Sequence, residues 1–461
     1  MAIDRKAALY RQLVREASDA AAIERMRVNG FWPWGQGIPR DPPDELKERA
    51  QIEAEIAKIQ AQSTKSVDPD KALAQERKRR WEESKKRRAA KRLERASLLK
   101  KRRDDFIRYR KANVLHLGVG VSAGLQDTRP DTGELTRRGL PSLTNGSDLA
   151  MMMGVPLASL RWLCFHRRGA ALVHYHRFGI PKKSGGTRSI SAPKPRLANA
   201  QRWVLQNILE RLDTAPPAHG FVRHRSILTN ATPHARRAVV MNFDLKDFFP
   251  SITFRRVKGL FRKLGYNEHV ATILALLCTE PPRARVEVDG RVIYLALGDR
   301  VLPQGACTSP AITNALCKRL DARLLALASR HGFTYTRYAD DLTFSGDDGA
   351  LVGRLRRSVV SVVSSEGFTE NTAKTRIMRQ GSRQEVTGLT VNDRPTMPRD
   401  EFRQLRAMLH NAAKHGLESQ NRTQHPAFAQ HLAGRVEFAC WADPTRAEKL
   451  RSALAAALAR G

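Results

Sequence analysis

The chain has 461 residues, 41% of them hydrophobic, enough for a sizeable core and for two or three domains. Its formal net charge of +35 excludes a solitary, electrically balanced globule and points to a polyanionic partner, nucleic acid first. An anionic membrane surface is the competing partner, but no segment has the apolar length of a transmembrane helix, so no membrane association is expected.

Residues 1–115 read as a basic helical extension. Charges recur from Asp4 to Arg27, which leaves no apolar stretch for a secretory leader. Asp41-Pro42 and Asp68-Pro69 each pair an N-cap aspartate with a proline at the first helical position. Ile52, Ile56 and Ile59 give the first of these helices an apolar stripe. The second runs through Arg77-Lys78-Arg79-Arg80, Lys85-Lys86-Arg87-Arg88 and Lys100-Lys101-Arg102-Arg103, to about Lys111. Its charge is too one-sided for balanced pairing along the helix. It therefore reads as an arm for RNA or DNA, with a plain solvated helix as the alternative.

Residues 116–145 contain Gly, Thr and Pro and read as a linker; helical patterning resumes near Asp148 and covers Leu157 to Trp162. Residues 116–163 are thus expected to be linker and lead-in helices. Ala238 to Phe243 reads as a short buried strand with Asp244 at its end. Helical spacing follows at Val257, Leu260, Phe261 and Leu264, at Val270, Ile273, Leu274 and Leu277, and at Ile312, Leu316, Leu320 and Leu324. Phe333–Tyr338 and Leu342–Ser345 are β-prone, so Asp340 and Asp341 sit at a hairpin tip. From Pro398 the chain is again helical and basic, with Phe402, Leu405 and Leu409 on one side. Strands interleaved with helices predict an α+β fold with a small antiparallel sheet. The five cysteines, Cys164, Cys278, Cys307, Cys317 and Cys440, suit neither a zinc ribbon nor a disulfide framework. Cys307 and Cys317 read as small core residues, and a reducing, cytoplasmic setting is expected.

An Asp-Asp pair can be a solvated turn and nothing more. A strand-end aspartate together with a hairpin-tip pair is, however, the set a two-metal phosphoryl-transfer site needs. Hard oxygen ligands and a triphosphate substrate make Mg2+ the expected ion.

At this point the chain resembles a reverse transcriptase, and within that class a retron reverse transcriptase. Ile180 to Lys183 with Gly185 to Arg188 resembles the fingers segment, and His219-Gly220-Phe221-Val222 leads towards the palm. Phe243-Asp244 to Phe249 resembles the first metal motif, and Tyr338-Ala339-Asp340-Asp341 the second. Leu302 to Gly305 with Ser309-Pro310, Asn371 to Thr375 and Val386 to Leu389 resemble the remaining palm motifs. Asn230-Ala231-Thr232-Pro233-His234 and Val386-Thr387-Gly388 resemble the two elements that mark retrons.

The resemblance implies a right-hand polymerase fold, with fingers and palm over 164–391 and a helical thumb over 392–461. It implies catalysis and metal binding by Asp244, Asp340 and Asp341. Arg188 and Lys182 would grip the dNTP, Phe249 would exclude a ribose 2′-OH, and Gln304 and Gly305 would lie against nucleotide and template. Lys374 would assist the leaving pyrophosphate, although the Asn371-Thr372-Ala373 segment before it departs from the family pattern. Asn230, His234, Val386, Thr387 and Gly388 would serve RNA recognition. The implied partners are a cognate noncoding RNA, its msDNA product and an effector protein of an antiphage system. A group II intron-like or other defence-associated reverse transcriptase is the alternative, and a catalytically silent RNA-binding protein is a further one. About 70 residues follow Val391, too few for a separate nuclease domain of usual size.

Overall fold

The computed structural model describes residues 19–35, 43–62, 69–181, 185–422 and 424–459. The chain divides into two compact units, Met1–Asp104 and Asp105–Gly461, a boundary somewhat before the one expected at 115.

Among its described residues the first unit is helical: Asp19–Val28, Pro43–Gln62 and a 44-residue helix, Pro69–Ala112, whose end runs past the boundary. At 1.5 Å per residue the last spans about 66 Å. The expected caps Asp41, Pro42 and Asp68 lie outside the described residues. Ile52 and Ile59 are 37% and 53% exposed, so the apolar stripe of the middle helix is only partly covered. The Arg102 guanidinium lies 4.1 Å from the centre of the Trp32 ring, and Arg80 donates to the Ile52 carbonyl.

In the second unit, residues 116–145 are not the expected linker. Leu117, Val121, Leu125, Leu135, Leu140 and Leu143 are buried in the main core, and the short helix Thr132–Arg137 is capped by Asp131. Their apolar side chains outweigh the turn-forming Gly, Thr and Pro between them. Helices Gly146–Met152 and Leu157–Cys164 follow, then strand β1 (Gly169–Ala170). Strands β2 (Tyr175–Pro181) and β3 (Thr187–Pro193) pair antiparallel as the fingers hairpin. Gly185 and Gly186 both have positive φ at its turn, while Lys182 and Lys183 lie outside the described residues.

The palm sheet is antiparallel, with the order β7-β8-β4-β9. Its strands are β4 (Val239–Asp244), β7 (Thr334–Tyr338), β8 (Asp341–Gly346) and β9 (Arg376–Arg379). Alternation along β4 separates two faces. Val239, Met241 and Phe243 enter the main core, and Val240 enters a smaller cluster with Met378, Val386 and Leu389. Helices Phe254–Lys263, Glu268–Cys278 and Ser309–Arg330 contribute to the main core, as their apolar spacing predicts.

Between the last two of those helices lies a hairpin absent from the sequence reading, β5 (Arg283–Val288) and β6 (Arg291–Ala296), to which β1 pairs. The tight pair β10 (Glu385–Val386) and β11 (Leu389–Thr390) ends the palm. Helices Arg399–His415, Phe428–Ala442 and Ala447–Leu458 then form a core of their own around Leu405, Leu409, Leu432 and Val436. Cys317 is buried, but Cys307 is exposed, because its loop precedes the helix start instead of entering the core.

Candidate active site

Strand register brings the carboxylates together. Asp244 is the cross-strand partner of Asp341, so the two side chains leave the same face of the sheet. Tyr338 pairs with Asp341, which leaves Ala339 and Asp340 as a two-residue turn. Ala339 has φ +58°, as the first position of a type II′ hairpin turn requires. The Leu245 amide donates to the Asp340 carbonyl at 3.0 Å and ties the turn to the end of β4.

Three supports hold this turn. The first is a strap, residues 217–220: the Arg337 amide donates to the Pro217 carbonyl and the His219 amide to the Arg337 carbonyl. A Cβ on Gly220 would lie 2.5 Å from the Ala339 nitrogen, so only glycine fits there. The second is Arg337, fully buried, whose guanidinium donates to both Asp321 oxygens at 2.8 and 2.7 Å and to Asn314 Oδ1 at 3.0 Å. It also reaches the Ala339 carbonyl at 3.3 Å, and the Tyr335 hydroxyl donates to Asp321. The third closes the ring: Asn314 Nδ2 donates to the Gly220 carbonyl at 2.9 Å. None of Arg337, Asp321 and Asn314 was singled out from sequence. The available signal was an arginine inside a buried strand and an aspartate in the apolar stripe of the Ser309–Arg330 helix, two charges that burial forces into a pair.

Asp244 is buried and doubly held. Asn371 Nδ2 donates to one carboxylate oxygen at 2.7 Å and Lys374 Nζ to the other at 3.0 Å. The irregular segment around Asn371 thus orients Asp244, a role the sequence reading missed. Burial raises the Asp340 carboxyl above its usual range, and the nearby Asp244 charge adds to this. Burial, then the charges of Asp340 and Asp244, push Asp341 up to about 7. Such crowding of negative charge is what a bound cation relieves. Among the described residues no three carboxylate, His or Cys side chains converge tightly enough to hold an ion as they stand. The donor chemistry nevertheless fits a divalent metal, with the Lys374 ammonium standing where positive charge is wanted. For Asp244 to serve as a ligand, Lys374 would have to give up its 3.0 Å contact with that carboxylate.

A cleft opens on this face. It is lined by Asp244, Asp341, Thr343, Lys374, Thr387 and Gly388. Phe248 is buried and Phe249 half-buried at the edge of the main core. The Phe249 ring lies 6.4 Å from that of Phe221, an exposed aromatic held at φ +60°. Gln304 is half-buried, and its carbonyl accepts from the Ser191 amide at 2.7 Å. Gly305, at φ +112°, is there because a Cβ would strike Ile190 and Ser191 of β3; its close backbone approach is to the fingers strand. Arg188 lies exposed on β3, near enough to Asp340 to counter the rise in its carboxyl.

The two short elements expected to read RNA are one internal unit. Asn230 is fully buried, and its Nδ2 donates to Thr387 Oγ1 at 3.5 Å. His234 is fully buried, with one ring nitrogen 2.7 Å from Ser345 Oγ and the other 2.7 Å from Thr336 Oγ1. Burial pulls its imidazole down to about 3. Side-chain contact of Asn230 or His234 with RNA is therefore closed off in this conformation; their work is to shape the element. Val386 is buried too, whereas Thr387 and Gly388, at φ +47° and +82°, form the turn of β10 and β11 at the cleft wall.

The family model described as "Reverse transcriptase (RNA-dependent DNA polymerase)" matches residues 180–420. The chain is 46% identical over 363 residues to the Retron Mx162 reverse transcriptase of Myxococcus xanthus, covering 73% of each chain. It is 47% identical over 326 residues to the Retron Mx65 reverse transcriptase of the same organism, covering 71% of this chain and 75% of that one. It is 35% identical over 284 residues to the Retron Ec86 reverse transcriptase of Escherichia coli, covering 61% and 82%.

Proposed function

The chain belongs to the retron reverse transcriptases and is an RNA-directed DNA polymerase, and from that premise we propose that it copies a structured noncoding RNA into msDNA, starting from an internal 2′-OH. The observation that carries the catalytic part is the register that sets Asp244 opposite Asp341 beside the Asp340 turn. Asp244, Asp340 and Asp341 would hold a pair of divalent ions, with Mg2+ favoured by hard oxygen ligands. When bound, those ions activate the attacking hydroxyl and stabilise the leaving pyrophosphate.

The protein's own groups do the positioning. Asn371 keeps the Asp244 carboxylate aimed, and the Arg337 network keeps the Ala339–Asp340 turn in place. Lys374, now 3.0 Å from Asp244, would meet the pyrophosphate once Asp244 binds a metal. Arg188 grips the triphosphate from the fingers strand, together with Lys182. Phe249 fills the space a ribose 2′-OH would need. The cleft wall at Thr387 and Gly388 holds the start of the nascent strand against the carboxylates. Asn230 and His234 fix that wall, so RNA recognition by these elements works through shape. The product serves an antiphage system with an effector protein in the cytoplasm.

The test is to express the chain with its native flanking locus and analyse the nucleic acid that copurifies. DNA joined to RNA at a 2′-OH, leaving a short ribonucleotide remnant after alkali, is the expected product. Extensions of 3′-OH primers alone would assign the enzyme to another priming mode and leave the catalytic residues as argued.

A further inference from the structure

The Pro69–Ala112 helix carries nineteen Lys and Arg against seven Asp and Glu. Helices of folded proteins normally bury one face, and a helix that is polar all round needs a partner or dense pairing to persist. Here every residue from Lys85 to Lys101 is exposed, nearly five turns without a covered side. The charge has no preferred side either. Runs of four consecutive basic residues at 77–80, 85–88 and 100–103 each sweep most of a turn. At about 100° per residue, the nineteen basic positions leave no gap in azimuth wider than roughly 40°. Ion pairs along it include Arg79 and Arg80 with Glu76, Arg87 with Glu83, and Arg108 with Asp105 towards its end; seven acids cannot balance nineteen bases.

A helix that lies on a surface needs one charged stripe. A second copy of this chain is a poor cover, since helices pack at about 8–10 Å and would face each other's surplus within a Debye length. Positive charge on all sides calls for phosphates on all sides. An A-form groove supplies that, yet the major groove of a regular RNA duplex is too narrow for a helix about 10–12 Å wide. We infer that the Pro69–Ala112 helix inserts into structured RNA whose major groove is opened by a bulge or internal loop, with phosphate backbone around it. The exposed Trp81, with Lys85 Nζ 5.2 Å from its ring centre, and Leu93, Leu98 and Leu99 meet bases freed at such a loop. This rests on the reading that RNA is the polyanion, and it adds the form of RNA and the mode of contact.

The experiment uses the full chain and two RNA probes, a continuous 30-base-pair duplex (about 30 pairs is enough to exceed the helix length) and the same duplex with a central bulge. Two variants neutralise opposing faces. One carries Lys78→Gln, Lys85→Gln, Arg92→Gln and Arg103→Gln; the other carries Arg79→Gln, Lys86→Gln, Arg87→Gln and Lys101→Gln. The expected result is tighter binding of the bulged probe by about 10-fold or more, and a salt slope reduced by about 3 in both variants, at roughly 0.7–0.9 per lost phosphate contact. Equal affinity for the two probes, or a reduced slope in only one variant, overturns insertion. Self-association in sedimentation that both variants abolish, with unchanged RNA slopes, assigns the helix to a second copy instead. Extension of a 3′-OH primer on an unstructured RNA template reports the polymerase separately. Its absence in the parent would sink the functional reading and leave the binding result to stand.

Discussion

Removing the Arg337 guanidinium is the sharpest probe of how the catalytic turn is held. Arg337→Met strands the fully buried Asp321 carboxylate and frees the Ala339 carbonyl. Breaking a buried pair from one side costs about 3–5 kcal/mol, because a charge is left without compensation. At about 2 °C per kcal/mol for a large domain, the melting temperature should fall by roughly 6–10 °C. The triple change Arg337→Met, Asp321→Leu and Tyr335→Phe removes both charges and the hydroxyl that Asp321 accepts from. Apolar replacement of a whole buried pair is often neutral, so stability should return to within about 1–3 kcal/mol of the parent, the remainder being Asn314 left short of a donor. The rate should not return. With no group on the Ala339 carbonyl the turn drifts, and a misplacement near 1 Å costs about 100-fold. Melting curves and single-turnover dNTP incorporation, taken together on the three proteins, decide it. A triple variant that recovers both stability and rate would reduce the network to packing. So would a single variant that melts within about 1 kcal/mol of the parent.

Phe249→Ala should admit ribonucleotides, raising the ratio of rNTP to dNTP incorporation by on the order of 10-fold or more, since one lost hydrophobic wall is worth about 1–3 kcal/mol; an unchanged ratio would make Phe249 a core residue only. In metal-free protein the Asp341 carboxyl, raised to about 7, binds its proton more tightly folded than unfolded, so stability drops as pH rises from about 4 to 7. Asp341→Asn removes that drop and should melt higher than the parent at pH 8 in chelator; a lower melt would count against charge crowding at the site. His234 is shifted the other way, to about 3, so its contribution is complete above pH 6.5 and lost as pH falls towards 3, by about 1.4 kcal/mol per pH unit. His234→Gln should flatten the stability profile across that window, and an unaltered slope would show that its ring is not held neutral.

What the sequence made legible was what local pattern encodes. The buried run ending at Asp244 and the β-prone runs around Asp340 and Asp341 name both strands of the site, because alternation, burial and a two-residue turn are written in neighbouring residues. The thumb helices and the long basic helix were legible for the same reason. Long-range pairing was not. Asn371 reaches Asp244, and Arg337 reaches Asp321, across separations no periodicity records. Asn230 and His234 were expected to serve RNA recognition by resemblance; both are buried and bonded inside the fold, where no short motif shows its partners. Residues 116–145 misled in the opposite sense: turn residues were visible one by one, while the leucines between them packed with partners far along the chain.

The central claim is that Asp244, Asp340 and Asp341 carry RNA-templated DNA synthesis while the basic surface carries RNA. Its most direct test measures dNTP incorporation on a primed RNA template and RNA affinity in parallel, for the parent, Asp244→Asn and Asp340→Asn. The account predicts that both variants lose extension, by at least about 1,000-fold from removal of a metal-binding charge, with RNA affinity within a few-fold of the parent. Near-normal extension by either variant would contradict it.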